Sequence, residues 1–399
     1  MSAGCPAFGL WPLLAANPHT PPELIRTLIG CESPGLRAVA AASPAAPPDL
    51  IAELGRDIDV AVRHQAAANM ACPPAALLRL GGDSDERVRA AVAANLATPA
   101  DTAGVLADDA ADSVRAAAAG HPGCPRPRLL ALASDGKQRV RHCLLQNPGA
   151  PPAALEAAYR PDDFICRLFI AGNTAASSAR LERLAGDAQP AIRLAVARNR
   201  LTPPIVLGSL ALDTDETVRA AALRHPRTPQ YLVTDAAGSP DEVVRRAAAG
   251  NPLCVPERLL ALAADAAPSV RLAAAGNPGL SVVAAFTLAG DADGAVRAGL
   301  GGNRSAPLPV LTALAADGDD RVRRRVARND RTGPLLLRQL ADDADPRVRA
   351  GVAGHPSASA LDHRRLLADH AAPVREALAL GSRHEDVLVA LATLGARPG

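Results

Sequence analysis

Seven cysteines and nine histidines are the residues of this chain that could ligate a metal or attack an electrophile. Their positions argue against either use. Cys72, Cys124 and Cys254 fall at one recurring position, held by Thr20 and Thr98 elsewhere, and Cys166 falls where valine is usual. They read as small residues selected for fit. His121, His225 and His355 replace an asparagine that recurs along the chain. His355, His363, His370 and His384 gather near the C-terminus around Asp362 and Asp369, at spacings that match no metal motif. No glycine-rich phosphate loop, HExxH or nucleophile motif occurs. The expectation is a protein without catalytic group, metal or cofactor, working through its surface.

Arginine is the most regular charged group. It stands at Arg37, Arg63, Arg89, Arg115, Arg141, Arg167, Arg193, Arg219, Arg245, Arg271, Arg297, Arg323, Arg349 and Arg375, every step being 26 residues. Eleven aspartates keep the same register, from Asp57, Asp83 and Asp109 to Asp343 and Asp369. A guanidinium carries five donors, enough to join one turn's aspartate or carbonyls to the next turn's aspartate. The alternative use, a row of anion sites, is weakened because the aspartates already neutralise the row. An asparagine row, including Asn69, Asn95, Asn251 and Asn277, is expected to satisfy loop backbone groups in the same repetitive way.

What must position these rows is a solenoid, because a fixed period of this length builds units that pack only on their neighbours. Within a unit, Thr-Pro-Pro-Glu at 20–23 reads as an N-cap threonine with a capping-box glutamate. Leucines three apart then give a short helix one apolar stripe, as in Leu77 with Leu80 and Leu311 with Leu314. Aspartate makes the turn, and a second one, as in Asp83-Ser84-Asp85, caps the next helix. That second helix has apolar residues four apart, such as Val88 with Val92 and Val322 with Val326. It closes on Gly-Asn or Gly-His, where glycine is expected to take a left-handed conformation, and proline follows. Trp11 stands in the arginine position before the first full copy, as a terminal cap would.

Aromatic residues make up only 2%, so the core must be Ala, Leu and Val. A net charge of +2 gives no general pull toward nucleic acid or an acidic membrane. No basic leader and no apolar run of roughly 18 residues is present, so neither a signal peptide nor a membrane span is expected. An odd, scattered cysteine set points to a reduced, cytoplasmic setting.

The run Leu-x-x-Leu-Ala-x-Asp, then Val-Arg, then Ala-x-Asn-Pro, seen at 259–278, resembles the leucine-rich repeat variant family. This is a bacterial α-solenoid family related in style to HEAT repeats, and the match covers nearly all of residues 11–380. The resemblance implies a right-handed superhelix and a protein-binding scaffold. Some members carry an N-terminal iron–sulfur module on clustered cysteines. Only Cys5 and Cys31 stand there in this chain, so no cluster is expected. HEAT-like glycosylases exist, but they resemble nucleic-acid clamps with aromatic stacking groups that this chain lacks.

Two places break the repeat on the solvent side of the second helix. Around Arg167 the usual small residues become Ile165, Leu168 and Phe169, with Phe164 and Tyr159 beside them and Arg160-Pro161 in place of Ala-Asp. This is either local repacking or an exposed apolar contact patch. Around Arg323 the same positions become Arg321, Arg324, Arg325 and Arg328, and a thinner basic run holds Arg198, Arg224, Arg227 and Arg246. These are either a solvated face or a dock for an acidic segment or phosphate backbone. The reading is therefore an all-α solenoid with a cap at 1–16, a repeat array at 17–380 and a capping helix and tail at 381–399. It is expected to be a monomer that binds protein partners through Tyr159, Phe164, Ile165, Phe169, Arg198, Arg224, Arg321, Arg324, Arg325 and Arg328. The alternative is a nucleic-acid-binding solenoid using the arginine-rich faces.

Overall fold

The computed structural model describes residues 10–395; Cys5 and the rest of 1–9, and 396–399, lie outside the described residues. The described chain is all helical, with thirty short helices and no strand. It divides into two compact units, one reaching Ser177 and including the segment from Ser382, the other spanning Ser178–Gly381. Each unit is a stack of two-helix repeats, so the chain is an α-solenoid.

The expected stripes are the core. Leu77, Leu80, Leu311 and Leu314 on first helices are at most 2% exposed, and Val88, Val92, Val322 and Val326 on second helices are fully buried. Burying each such side chain contributes roughly 1.5–3 kcal/mol. Within each unit, second helices of successive repeats pack along one another, and first helices meet less closely. Glycine permits the closest approaches. A Cβ on Gly351 would lie 2.9 Å from the Ala327 Cβ, and one on Gly381 would lie 2.8 Å from the Gly354 Cα.

The turns follow the aspartate pattern. Asp57 Oδ1 accepts from the Asp59 N–H at 2.8 Å, and Asp59 caps the next helix by accepting from the Ala61 N–H at 2.8 Å. Two local expectations fail. The threonine is not an N-cap: that position belongs to proline, as at Pro21 and Pro73, without a side-chain bond. Threonine instead donates backwards to a carbonyl at the end of the preceding helix, Thr98 to Val92 and Thr332 to Val326, each at 2.6 Å. Proline's fixed φ already suits a helix start, which frees the hydroxyl for that carbonyl. Nor does glycine turn left-handed, since no described residue has positive φ; Gly276 caps its helix at φ −83°.

Asparagine ties each helix end to the repeat before it. Asn277 Nδ2 donates to the carbonyls of Ala249 at 2.6 Å and Asn251 at 2.8 Å, while its Oδ1 accepts from the Gly279 N–H at 2.8 Å. Histidine does the same at His121, whose Nε2 stands 3.1 Å from the Asn95 carbonyl oxygen and whose Nδ1 accepts from Gly123 N–H at 3.0 Å. In the first unit this row spans a gap of 365 residues: Asn17 Nδ2 donates to the Ser382 carbonyl at 2.9 Å. The helix Glu385–Gly395 packs on Trp11–Ala16. Toward the first repeat, the C-terminal segment takes the place of a preceding repeat.

Candidate functional site

The arginine row is a ladder of two-pronged ion pairs. In the first unit Arg37–Asp57, Arg63–Asp83, Arg89–Asp109 and Arg115–Asp135 each join an arginine to the aspartate of the following repeat, with Nε–Oδ2 distances of 2.7–2.8 Å. In the second unit the same bond joins Arg193–Asp213, Arg245–Asp265, Arg271–Asp291, Arg297–Asp317, Arg323–Asp343 and Arg349–Asp369 at 2.6–2.8 Å. The remaining nitrogen donates to carbonyls of its own turn, Arg323 Nη1 to Asp317 at 2.8 Å. Hydrogen bonding to Arg37 and Arg349 holds Asp57 and Asp369 below the usual carboxylate range. These arginines are consumed by the structure and do not form an anion-binding row.

Arg141 and Arg219 depart from this pattern. Pro161 stands where Arg141 would find its carboxylate, and Arg141 Nε is buried without a hydrogen-bond partner. Ser239 stands in the next gap, leaving Arg219 Nη2 3.8 Å from Asp241.

The arginines outside the ladder behave differently. Arg198, Arg224 and Arg246 lie on the successive second helices Pro190–Arg198, Glu216–Arg224 and Glu242–Ala249 of the second unit. They open on one concavity of about 490 Å³, whose walls include Glu216, Thr217, His225 and Val243. Among the described residues no carboxylate lies within 4.0 Å of their guanidinium nitrogens. Arg224 keeps solvent contact, but crowding by its neighbours, and then the like charge of Arg246, lower its pKa. Gly250 leaves it room: a Cβ there would lie 3.4 Å from Arg224 Nε. Such a site can take up a carboxylate or phosphate, which would restore two-pronged, charge-assisted hydrogen bonds.

The second basic run divides. Arg321 folds back on Asp319, which accepts from Nη2 at 2.7 Å, so its charge is locally neutralised. Arg325 and Arg328 are exposed and Arg324 is half-buried on the same second-helix face. Arg328 borders a further concavity of about 480 Å³ with Asp330 and Gly354.

In the first unit, Phe164 is 38% exposed, while Tyr159, Ile165 and Phe169 are half-buried. Phe169 meets the His142 ring edge-on, centroids 5.5 Å apart and planes at 86°. The aromatic break thus partly serves internal packing. It also surrounds a cluster that the spacing of cysteines alone does not reveal: His142, Asp163 and Cys166. The signal was present but divided between repeats, since His142 follows one ladder arginine while Asp163 and Cys166 precede the next.

No family model matches the chain. No curated protein matches it either. Among solved structures it is similar to a leucine-rich repeat variant with a novel repetitive motif, at 28% identity over 56% of this chain and 88% of that one, TM-score 0.36. It is also similar to importin beta (14% identity, 90% and 50% coverage, TM-score 0.27). A third is the karyopherin Kap121p bound to the extreme C-terminus of the phosphatase Cdc14p (12% identity, 95% and 50% coverage, TM-score 0.26). The chain spans half the length of each of the last two. A leucine-rich repeat variant therefore stands among its structural neighbours, as the repeat motif suggested.

Proposed function

We propose that this protein is a non-enzymatic repeat scaffold that captures a partner protein on the second-helix face of residues 178–381. Arg198 and Arg224, joined by Arg246, receive an acidic segment of the partner. Arg324, Arg325 and Arg328 extend the basic face; Phe164, in the other unit, offers a separate apolar contact. The observation that carries this reading is the contrast within one residue type. Ten ladder arginines are held by an aspartate of the next repeat, whereas Arg198, Arg224 and Arg246 face a shared concavity with, among the described residues, no carboxylate within 4.0 Å of their guanidinium nitrogens, Glu216 being the one acid on its wall. Cations left unpaired in a concave surface suit an incoming anion.

The test compares wild type with Arg198→Glu/Arg224→Glu/Arg246→Glu. Acidic peptides are titrated by fluorescence anisotropy, with single- and double-stranded oligonucleotides in parallel. Peptide binding that is lost in the variant, with no oligonucleotide binding by either protein, is the expected result. Oligonucleotide binding that falls steeply with salt would assign the face to nucleic acid. Equal peptide affinity in both proteins would refute the site.

A further inference from the structure

Five departures from the repeat converge on one point in the first unit. Pro161 replaces the ladder aspartate, Cys166 replaces valine, and His142 replaces the alanine seen at Ala90 and Ala116. Phe169 covers the His142 ring, and Gln138 reaches the same cluster. Asp163 ties them together. Its Oδ1 caps the helix Phe164–Gly172 by accepting from the Ile165 N–H at 2.8 Å. Its Oδ2 is left for side chains: it lies 3.1 Å from His142 Nε2, 3.2 Å from Cys166 Sγ and 2.9 Å from Gln138 Nε2. The three potential donors, one nitrogen, one oxygen and one sulfur, all stand within 4.8 Å of one another.

We propose that His142 Nε2, Asp163 Oδ2 and Cys166 Sγ form a binding site for a divalent transition-metal ion of the zinc class.

The spacing fits. Tetrahedral zinc bonds nitrogen and oxygen near 2.0–2.2 Å and sulfur near 2.3 Å, which separates its ligands by about 3.3–3.7 Å. The observed 3.1 and 3.2 Å need to open by only a few tenths of an ångström. The donor set is also selective, since a thiolate and an imidazole favour zinc-like ions over magnesium or calcium. Cys166 is fully buried and His142 and Asp163 are half-buried, so the cluster is partly enclosed by protein. The Gln138 side is open, and the Gln138 amide oxygen (after a flip) or solvent completes the fourth position.

Without metal, burial and then Asp163 push the Cys166 thiol up to about 11, so it is protonated. Binding forms the metal–sulfur bond and sends the S–H proton to solvent. Arg141, left without its aspartate, favours the thiolate once it forms. Another repeat shows what the site looks like without these changes. His64 follows its ladder arginine as His142 does, but there Asp85 accepts from its own Arg87 at 2.8 Å and Val88 occupies the cysteine position.

The experiment uses the full chain, stripped with chelator and titrated with cobalt(II), then zinc(II). Cys166→Val and His142→Ala restore residues that other repeats already use, so both are expected to fold; circular dichroism verifies this. Cys143→Ser is the control for an unrelated thiol. Wild type and Cys143→Ser should develop a thiolate-to-cobalt charge-transfer band that saturates at one equivalent and is abolished by zinc. Cys166→Val should show no band, and His142→Ala should bind at least about ten-fold more weakly. Zinc should raise the melting temperature of the wild-type protein and leave that of Cys166→Val unchanged. Absence of the band in wild type, its retention in Cys166→Val, or unchanged affinity in His142→Ala would each overturn the site.

Discussion

Removing one rung of the ladder tests the principle on which the repeats are joined. The Arg323–Asp343 rung is suited to it, with side chains only 18% and 8% exposed. Arg323 Nε and Nη2 donate to Asp343 at 2.7 and 3.0 Å, and Nη1 donates to two carbonyls. Asp343 additionally accepts from the Asp345 N–H at 2.9 Å. Arg323→Ala leaves that carboxylate without its cation, and Asp343→Ala also removes the turn bond. A fully buried pair broken this way costs about 3–5 kcal/mol and an exposed one under about 1. The solvent-facing edge of this rung places each single substitution at about 2–3 kcal/mol, with Asp343→Ala the larger. The double substitution should cost less than the sum of the singles, leaving a coupling of about 1.5–2 kcal/mol. The assay is urea unfolding followed by circular dichroism on the four proteins of the cycle, fitted with a nearest-neighbour repeat model. A coupling below about 0.5 kcal/mol, the level at which independent sites add, would refute the claim that the rung joins repeats.

Three further outcomes follow from the same geometry. Acid should unfold the protein, because hydrogen bonding to arginine lowers the pKa of Asp57, Asp213, Asp291 and Asp369 on folding. Their stabilisation is complete above the unfolded value of about 3.9 and is lost as pH falls through the lower folded values, so melting temperature should drop steeply below about pH 4. A flat melting profile from pH 5 to 2 would contradict it. Pro161→Asp should restore the missing partner of Arg141 and stabilise the chain by about 1–2 kcal/mol, measured by urea midpoint. Asn277→Ala strands two buried carbonyls and should cost about 2–4 kcal/mol, while Asn277→His, using the residue found at His121, should cost less than half as much.

Much of the molecule was legible in the amino-acid order because the repeat samples the same physics many times. One leucine pair three apart means little, but Leu77 with Leu80 and Leu311 with Leu314, placed alike in distant copies, fix a helix face. Capping chemistry was less legible. Threonine before proline is compatible with an N-cap and with a backward bond to a carbonyl, and only the path of the preceding helix selects the second. Glycine likewise gave an ambiguous signal, since it permits left-handed φ without requiring it, and the asparagine of the next repeat satisfies the carbonyl at the helix end, as Asn277 does for Ala249.

Periodicity alone therefore determined the two-helix unit, its buried stripes and the company that each arginine keeps, because local contacts recur at fixed offsets. Tertiary structure decided everything that depends on neighbouring copies differing. It alone brought Arg198, Arg224 and Arg246 to one concavity, set His142 against Asp163 and Cys166, and seated Ser382 on Asn17. Those meetings depend on distances across repeats, and no periodic pattern encodes a contact that occurs only once.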